Sequence, residues 1–233
     1  MDPSQPNFRH ELAVRMAELA RAIATPRGLD RVLRDVTETA VQLIPGADVA
    51  GVLLVKKAGE FESLADTDDL AGQLDKLQQD FGEGPCAEAA LQETIVRADD
   101  LRSETRWPRY APAAVRLGVL SGLSFKLYTA DRTAGALNLF GFEAGVWDTE
   151  AETIGSVLAA HAAAAILAER HGEHLQSALS SRDRIGQAKG IIMERYDVDD
   201  VRAFDMLVLL SQEQQTKLVD IAERVIATRG AGD

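Results

Sequence analysis

Arg184-Ile185-Gly186-Gln187-Ala188-Lys189-Gly190-Ile191-Ile192-Met193 decides how this chain is read. Ile185, Ala188, Ile192 and Tyr196 recur at intervals of three or four residues, the spacing of a narrow apolar stripe on a helix. Arg182 and Lys189 are seven residues apart and so share a neighbouring face. Asp197-Val198-Asp199-Asp200 breaks the pattern, and Ala203, Phe204, Leu207 and Leu210 stripe a second helix opened by an aspartate cap. Leu218, Ile221, Ala222 and Val225 stripe a third, with Lys217 and Arg224 again seven apart. Amphipathic helices with short connections of this kind pack as a small bundle.

Working towards the N-terminus, the helical pattern holds back to about Asp148, with Thr149 and Glu152 spaced as a capping box and Gly155, Gly172 and Gly186 placed to bend or interrupt it. A helix so long leaves apolar surface in water unless it pairs, so it is expected to meet an N-terminal helix (Leu12, Met16, Leu19, Ile23) and a second copy of the chain. Between them, a helix over Leu29–Ile44 precedes a strand at Val49–Val55, a turn at Lys56–Gly59 and a strand at Glu60–Ala65. A helix over Asp69–Asp80, the loop Gly82-Glu83-Gly84-Pro85, a short helix to Gln92 and a strand at Thr94–Ala98 follow. Arg106-Trp107-Pro108 opens another helix, which runs to Leu117. Leu123, Phe125 and Leu127 then alternate with Ser124, Lys126 and Tyr128 in a half-buried strand, and Ala134–Phe142 returns beside it. The fold class is α+β, an antiparallel sheet with covering helices, followed by a long helix and an all-α bundle. The expected division is 1–27 for dimerisation, 28–168 for a sensor domain, 169–181 as a helical linker and 182–229 for the terminal domain.

The net charge of −12 repels phosphate over the molecule as a whole. The balance is uneven: residues 177–233 hold 8 Lys/Arg against 10 Asp/Glu, so the tail is nearly neutral and has room for a local basic face. The sole cysteine, Cys86, excludes an intrachain disulfide and suits a reducing interior. The start lacks a basic and then apolar leader, and no run approaches the roughly 20 apolar residues of a membrane span, so a cytoplasmic place is expected. No nucleophile–histidine–acid set, Walker loop or HExxH motif is written in the chain, so no enzyme is expected. Asp99-Asp100 reads as a turn, Cys86 and His161 as packed or solvated side chains, and His171 with His174 as a solvated face without a third ligand.

The quoted stretch resembles the ANTAR signature, an Ala-Lys-Gly-x-x-Met core after Arg-Ile. Ala203-Phe204, Leu207, Ser211-Gln212, Lys217-Leu218 and Ala222 continue the resemblance across 182–228. It implies a transcription antitermination module that binds hairpins of nascent RNA, generally as a dimer, and so keeps a terminator stem from forming. Arg182, Arg184, Lys189 and Lys217 are the expected phosphate contacts. The sequence departs from the family where an arginine after the second-helix leucine is replaced by Val208-Leu209, and where an asparagine opening the third helix is replaced by Gln215, leaving Thr216 to cap. Upstream, Gly82–Cys86, Asp99-Asp100-Leu101, Arg106-Trp107-Pro108, Gly118–Ser121 and Gly135–Leu139 look like the GAF family over about 28–168. The pairing resembles the GAF–ANTAR regulators of actinobacterial type. GAF domains bind small effectors between the sheet and its covering loops, or serve in dimerisation; no motif here names a cofactor. An effector site is expected to use Leu53, Phe125, Leu127 and Leu139 on the sheet, with Trp107 and Gly84 as a lid. The alternative is a ligand-binding or protein-interaction regulator whose last domain does not bind RNA. Should the cations around Lys189 be buried, or pinned by neighbouring acids, the chain is expected to be a docking module and not a regulator of transcripts.

Overall fold

The computed structural model describes residues 28–55, 61–91, 94–129 and 132–228, together with residues 14, 15, 17, 18 and 21. Those five are helical; the rest of the expected N-terminal helix, including Leu12, Met16, Leu19 and Ile23, lies outside the described residues. The chain divides into two compact units between Glu169 and Arg170.

In the first unit, α1 (Leu29–Leu43) buries Val32, Leu33, Val36, Ala40 and Leu43 on one side. Strands β1 (Val49–Val55) and β2 (Phe61–Leu64) pair as the turn residues predict. Helix α2 (Asp69–Phe81) is capped by Asp68, which accepts from the Leu70 N–H at 2.8 Å, and is closed by Gly82 in the left-handed region at φ 63°. Helix α3 (Pro85–Leu91), β3 (Ile95–Ala98), α4 (Tyr110–Arg116), β4 (Ser121–Thr129) and β5 (Arg132–Gly141) follow among the described residues. The five strands form one antiparallel sheet in the order β2-β1-β5-β4-β3.

Period-2 alternation sends side chains to opposite faces, and both faces of this sheet are covered. Val52, Leu54, Leu123, Phe125, Leu127, Leu137 and Leu139 pack with α1 and with the first turns of α5 (Thr149–Tyr196). Leu53, Ala136 and Phe140 pack the other way, with α2, α3 and α4. Ser124, expected to face solvent, is therefore fully buried.

Helix α5 has 48 residues, and Gly155, Gly172 and Gly186 do not interrupt it. Gly155 instead permits close packing: a Cβ there would stand 2.1 Å from the Phe125 ring. The cap is Asp148, one residue earlier than expected. Its carboxylate accepts from the Ala151 N–H at 2.8 Å, while Glu152 pairs with Arg97 at 3.1 Å. An 18-residue window of α5 has mean hydropathy 1.5, enough by length and composition to cross a membrane, contrary to the expectation that no stretch would. Within unit one that apolarity serves the core, where Ile154, Leu158, Ala162 and Ile166 are buried.

In the second unit the C-terminal part of α5 packs with α6 (Asp200–Glu213) and α7 (Leu218–Ala227). Ala188, Ile192, Ala203, Leu207, Ile221 and Ala222 form its sealed core. Tyr196 and Phe204, placed by the sequence in the apolar stripes, are 57% and 40% exposed.

Candidate nucleic-acid interface and sensor core

Arg182, Ile185 and Lys189 follow one another at helical intervals along α5, and α6 brings Phe204 opposite them. Together with Gly186 they border an open groove of about 460 Å³. The Lys189 ammonium lies 5.8 Å from the Phe204 ring centroid and is also paired with the Asp200 carboxylate at the start of α6. Arg184 does not line this groove and sits 3.6 Å from Glu223. Arg182 and Lys217 are exposed and have no ion-pair partner among the described residues. The four expected phosphate contacts thus divide into two free cations and two held by acids. Both acids are more than half exposed, at 67% for Asp200 and 53% for Glu223, where ion pairs are worth about 0–1 kcal/mol and exchange partners readily.

The departures have visible consequences. Leu209, beside the position where the ANTAR resemblance implies an arginine, stands 56% exposed. Gln215 takes φ 49°, a left-handed conformation that asparagine tolerates better than glutamine. Thr216 does not cap α7: its hydroxyl donates to the Gln214 carbonyl at 3.1 Å, and the helix begins after Lys217 without a side-chain cap.

The six residues expected to line an effector pocket do not come together. Leu53 and Trp107 belong to the α2–α4 side of the sheet; Phe125, Leu127 and Leu139 belong to the α1–α5 side. Trp107 is 4% exposed and pinned, its indole N–H donating to Glu88 at 3.1 Å. Gly84 adopts φ 129° and lies so close to Gln78 that a Cβ would stand 2.5 Å from its side-chain oxygen. The loop around it is held by Glu83, which accepts from the Arg109 backbone N–H at 2.8 Å and its guanidinium at 2.6 Å. Phe125 also borders a groove of about 370 Å³ between β3, β4 and α5.

What the sequence missed is a buried polar cluster on the α2–α4 side. Asp75 accepts from Ser63 at 2.6 Å and from the Asn138 amide at 3.1 Å, and Asn138 in turn accepts from Ser124 at 2.8 Å. Gln78 holds the Cys86 backbone N–H at 2.8 Å. Burial pushes the Asp75 carboxyl up to about 7, and burial also raises the Cys86 thiol and the Tyr110 phenol. The Tyr110 hydroxyl is buried and has no hydrogen-bond partner among the described residues. Asp99 and Asp100 form a turn, bonded to Arg97 at 2.6 Å and to Arg102 at 2.8 Å. His161 bonds the Val157 carbonyl at 2.9 Å; the His174 side chain lies outside the described residues, and no metal-binding group is present among those described.

The first unit is thus an antiparallel sheet covered on both faces, and the second a helical bundle with a cationic, aromatic groove. A GAF domain model matches residues 26–167 and an ANTAR domain model residues 173–226. The chain belongs to the GAF family, with an ANTAR domain after the sensor domain. No curated protein is a significant match. Among solved structures, it is similar to the GAF domain of a phosphoenolpyruvate-protein phosphotransferase from Coxiella burnetii, with TM-score 0.58, 19% identity, and 70% of this chain and 96% of that one covered. It is also similar to a domain of a two-component sensor histidine kinase protein from Sinorhizobium meliloti, with TM-score 0.54, 13% identity and coverage of 64% and 98%. A free methionine-R-sulfoxide reductase from Neisseria meningitidis matches at TM-score 0.51, 15% identity and coverage of 70% and 93%. At these identities the likeness is one of fold.

Proposed function

We propose that the chain is a cytoplasmic, homodimeric transcription antitermination regulator that binds hairpins of nascent RNA through its ANTAR unit under control of its GAF unit. The observation that carries this reading is the groove in which Arg182 and Lys189 flank an exposed aromatic ring, within the segment that matches the ANTAR model. Arg184 and Lys217 extend the cationic set. The GAF unit responds to a small molecule or partner on the α2–α4 side, where Leu53, Trp107 and the Gly84 loop meet the Asp75 cluster; Phe125, Leu127 and Leu139 serve its core. We read the chain as a regulator and not an enzyme, with Cys86 a sealed thiol.

Binding of the full chain to stem-loop RNA, followed by fluorescence anisotropy across a salt series, tests the proposal. Affinity is expected to fall steeply with salt, because each phosphate contact releases counterions. Lys189→Ala and Arg182→Ala are each expected to weaken binding several-fold and to flatten the log–log salt slope by about 1. Wild-type protein without affinity at low salt would rule the proposal out. The second reading, a docking unit that does not bind RNA, draws on the Lys189–Asp200 and Arg184–Glu223 pairs and on Leu209.

A further inference from the structure

Phe204 departs from its neighbours on α6. Ala203 and Leu207 are sealed, whereas Phe204 keeps 40% of its surface and forms one wall of the groove opposite Arg182, Gly186 and Lys189. Its own helical turn aside, no described residue comes within 4 Å of where a Gly186 side chain would start, so that part of the groove is open. A planar apolar wall with two cations beside it suits a ligand that is planar and joined to an anion. An aliphatic ligand would leave the cations unused, and a free anion would leave the ring unused. In the free protein the chain's own side chains occupy both features: the Lys189 ammonium lies over the ring and is held by Asp200. Asp200 is 67% exposed, so water screens its hold. It is not the cap of α6 either, since Asp199 accepts from the Arg202 N–H at 2.8 Å.

We infer that the groove receives one unpaired RNA base against Phe204, with Lys189 exchanging Asp200 for the phosphate that flanks the base. The inference rests on the RNA reading above and adds to it the recognised element, a base out of the stack, and an internal competitor for the phosphate. Arg182, without an ion-pair partner among the described residues, is placed to take a second phosphate.

Two probes separate the claims: a stem-loop RNA with a randomised loop, and a fully paired duplex of the same length, each titrated with the full-length protein. Wild type is expected to prefer the looped RNA. Phe204→Leu keeps the apolar bulk but lacks a π-face, and is expected to lose that preference by roughly 5- to 100-fold, whereas Phe204→Tyr retains it. Asp200→Asn is expected to bind about 3- to 10-fold more tightly at low salt, with the gain shrinking as salt rises. Circular dichroism melts of each variant establish that it folds. Equal binding of both RNAs by wild type, an unchanged preference in Phe204→Leu, or no gain in Asp200→Asn overturns the inference while RNA binding stands. A wild type that binds neither RNA overturns both.

Discussion

Lys189 is a basic residue in an acidic protein, and its setting decides what it can bind. Close to Asp200 it is neither bare nor locked away, and its side chain retains 21% of its exposure. The sequence located Lys189 because a motif surrounds it, but an acid eleven residues later, brought back by a turn, has no local signature. Asp75 was illegible for the same reason. In the sequence it is one more polar residue of an amphipathic helix, and only the sheet brings Ser63 and Asn138 to it. Its carboxyl is raised from 3.8 to about 7, chiefly by burial. The folded state therefore holds a proton between about pH 4 and pH 7 that the unfolded chain has released, so folding is favoured towards the acid end and stability is lost as pH rises through that window. Thermal unfolding of the GAF unit between pH 4.5 and 7.5 is expected to show a falling midpoint in wild type. Asp75→Asn, neutral throughout, should flatten that fall, with a difference on the order of a few kcal/mol across the window. Parallel curves would show that another group binds the proton.

Elements were easier to read than their partners. Period-2 alternation marked β4, and helical spacing marked α1, α6 and α7, because local periodicity is written in every few residues. Which face of the sheet each strand residue meets depends on two helical layers contributed from distant parts of the chain, which is why one expected pocket became two cores. Glycines on α5 were also ambiguous: the same residue that weakens an isolated helix allows Gly155 to pack against the Phe125 ring. The turn between α6 and α7 gives the prediction at this scale. Gln215 holds φ 49° there, at a cost that Asn reduces and a β-branched side chain increases. Gln215→Asn is expected to stabilise the ANTAR unit by about 0.5 kcal/mol, and Gln215→Val to destabilise it by about 1 kcal/mol or more. Urea unfolding followed by circular dichroism measures both, and equal stabilities would show that the turn carries no strain.

At the scale of the whole molecule, the net charge of −12 and the nearly neutral tail were legible by counting, and the family matches give that asymmetry a place. Leu175 and Leu179 on α5 are 64% and 52% exposed in the single chain, and the proposed homodimer would give them cover. Native mass spectrometry of freshly purified protein is expected to report twice the 25.2 kDa chain mass, together with any effector retained by the GAF unit. A monomer at micromolar concentration would remove the homodimer from the proposal. Cys86 has a practical consequence for such work. The only thiol in the chain is 1% exposed and made more basic by its surroundings, so maleimides and nitroxide reagents have little to attack. A cysteine introduced at any surface position can then be labelled by itself in the otherwise natural sequence, which opens spin-label ruler measurements between copies without first rebuilding the core.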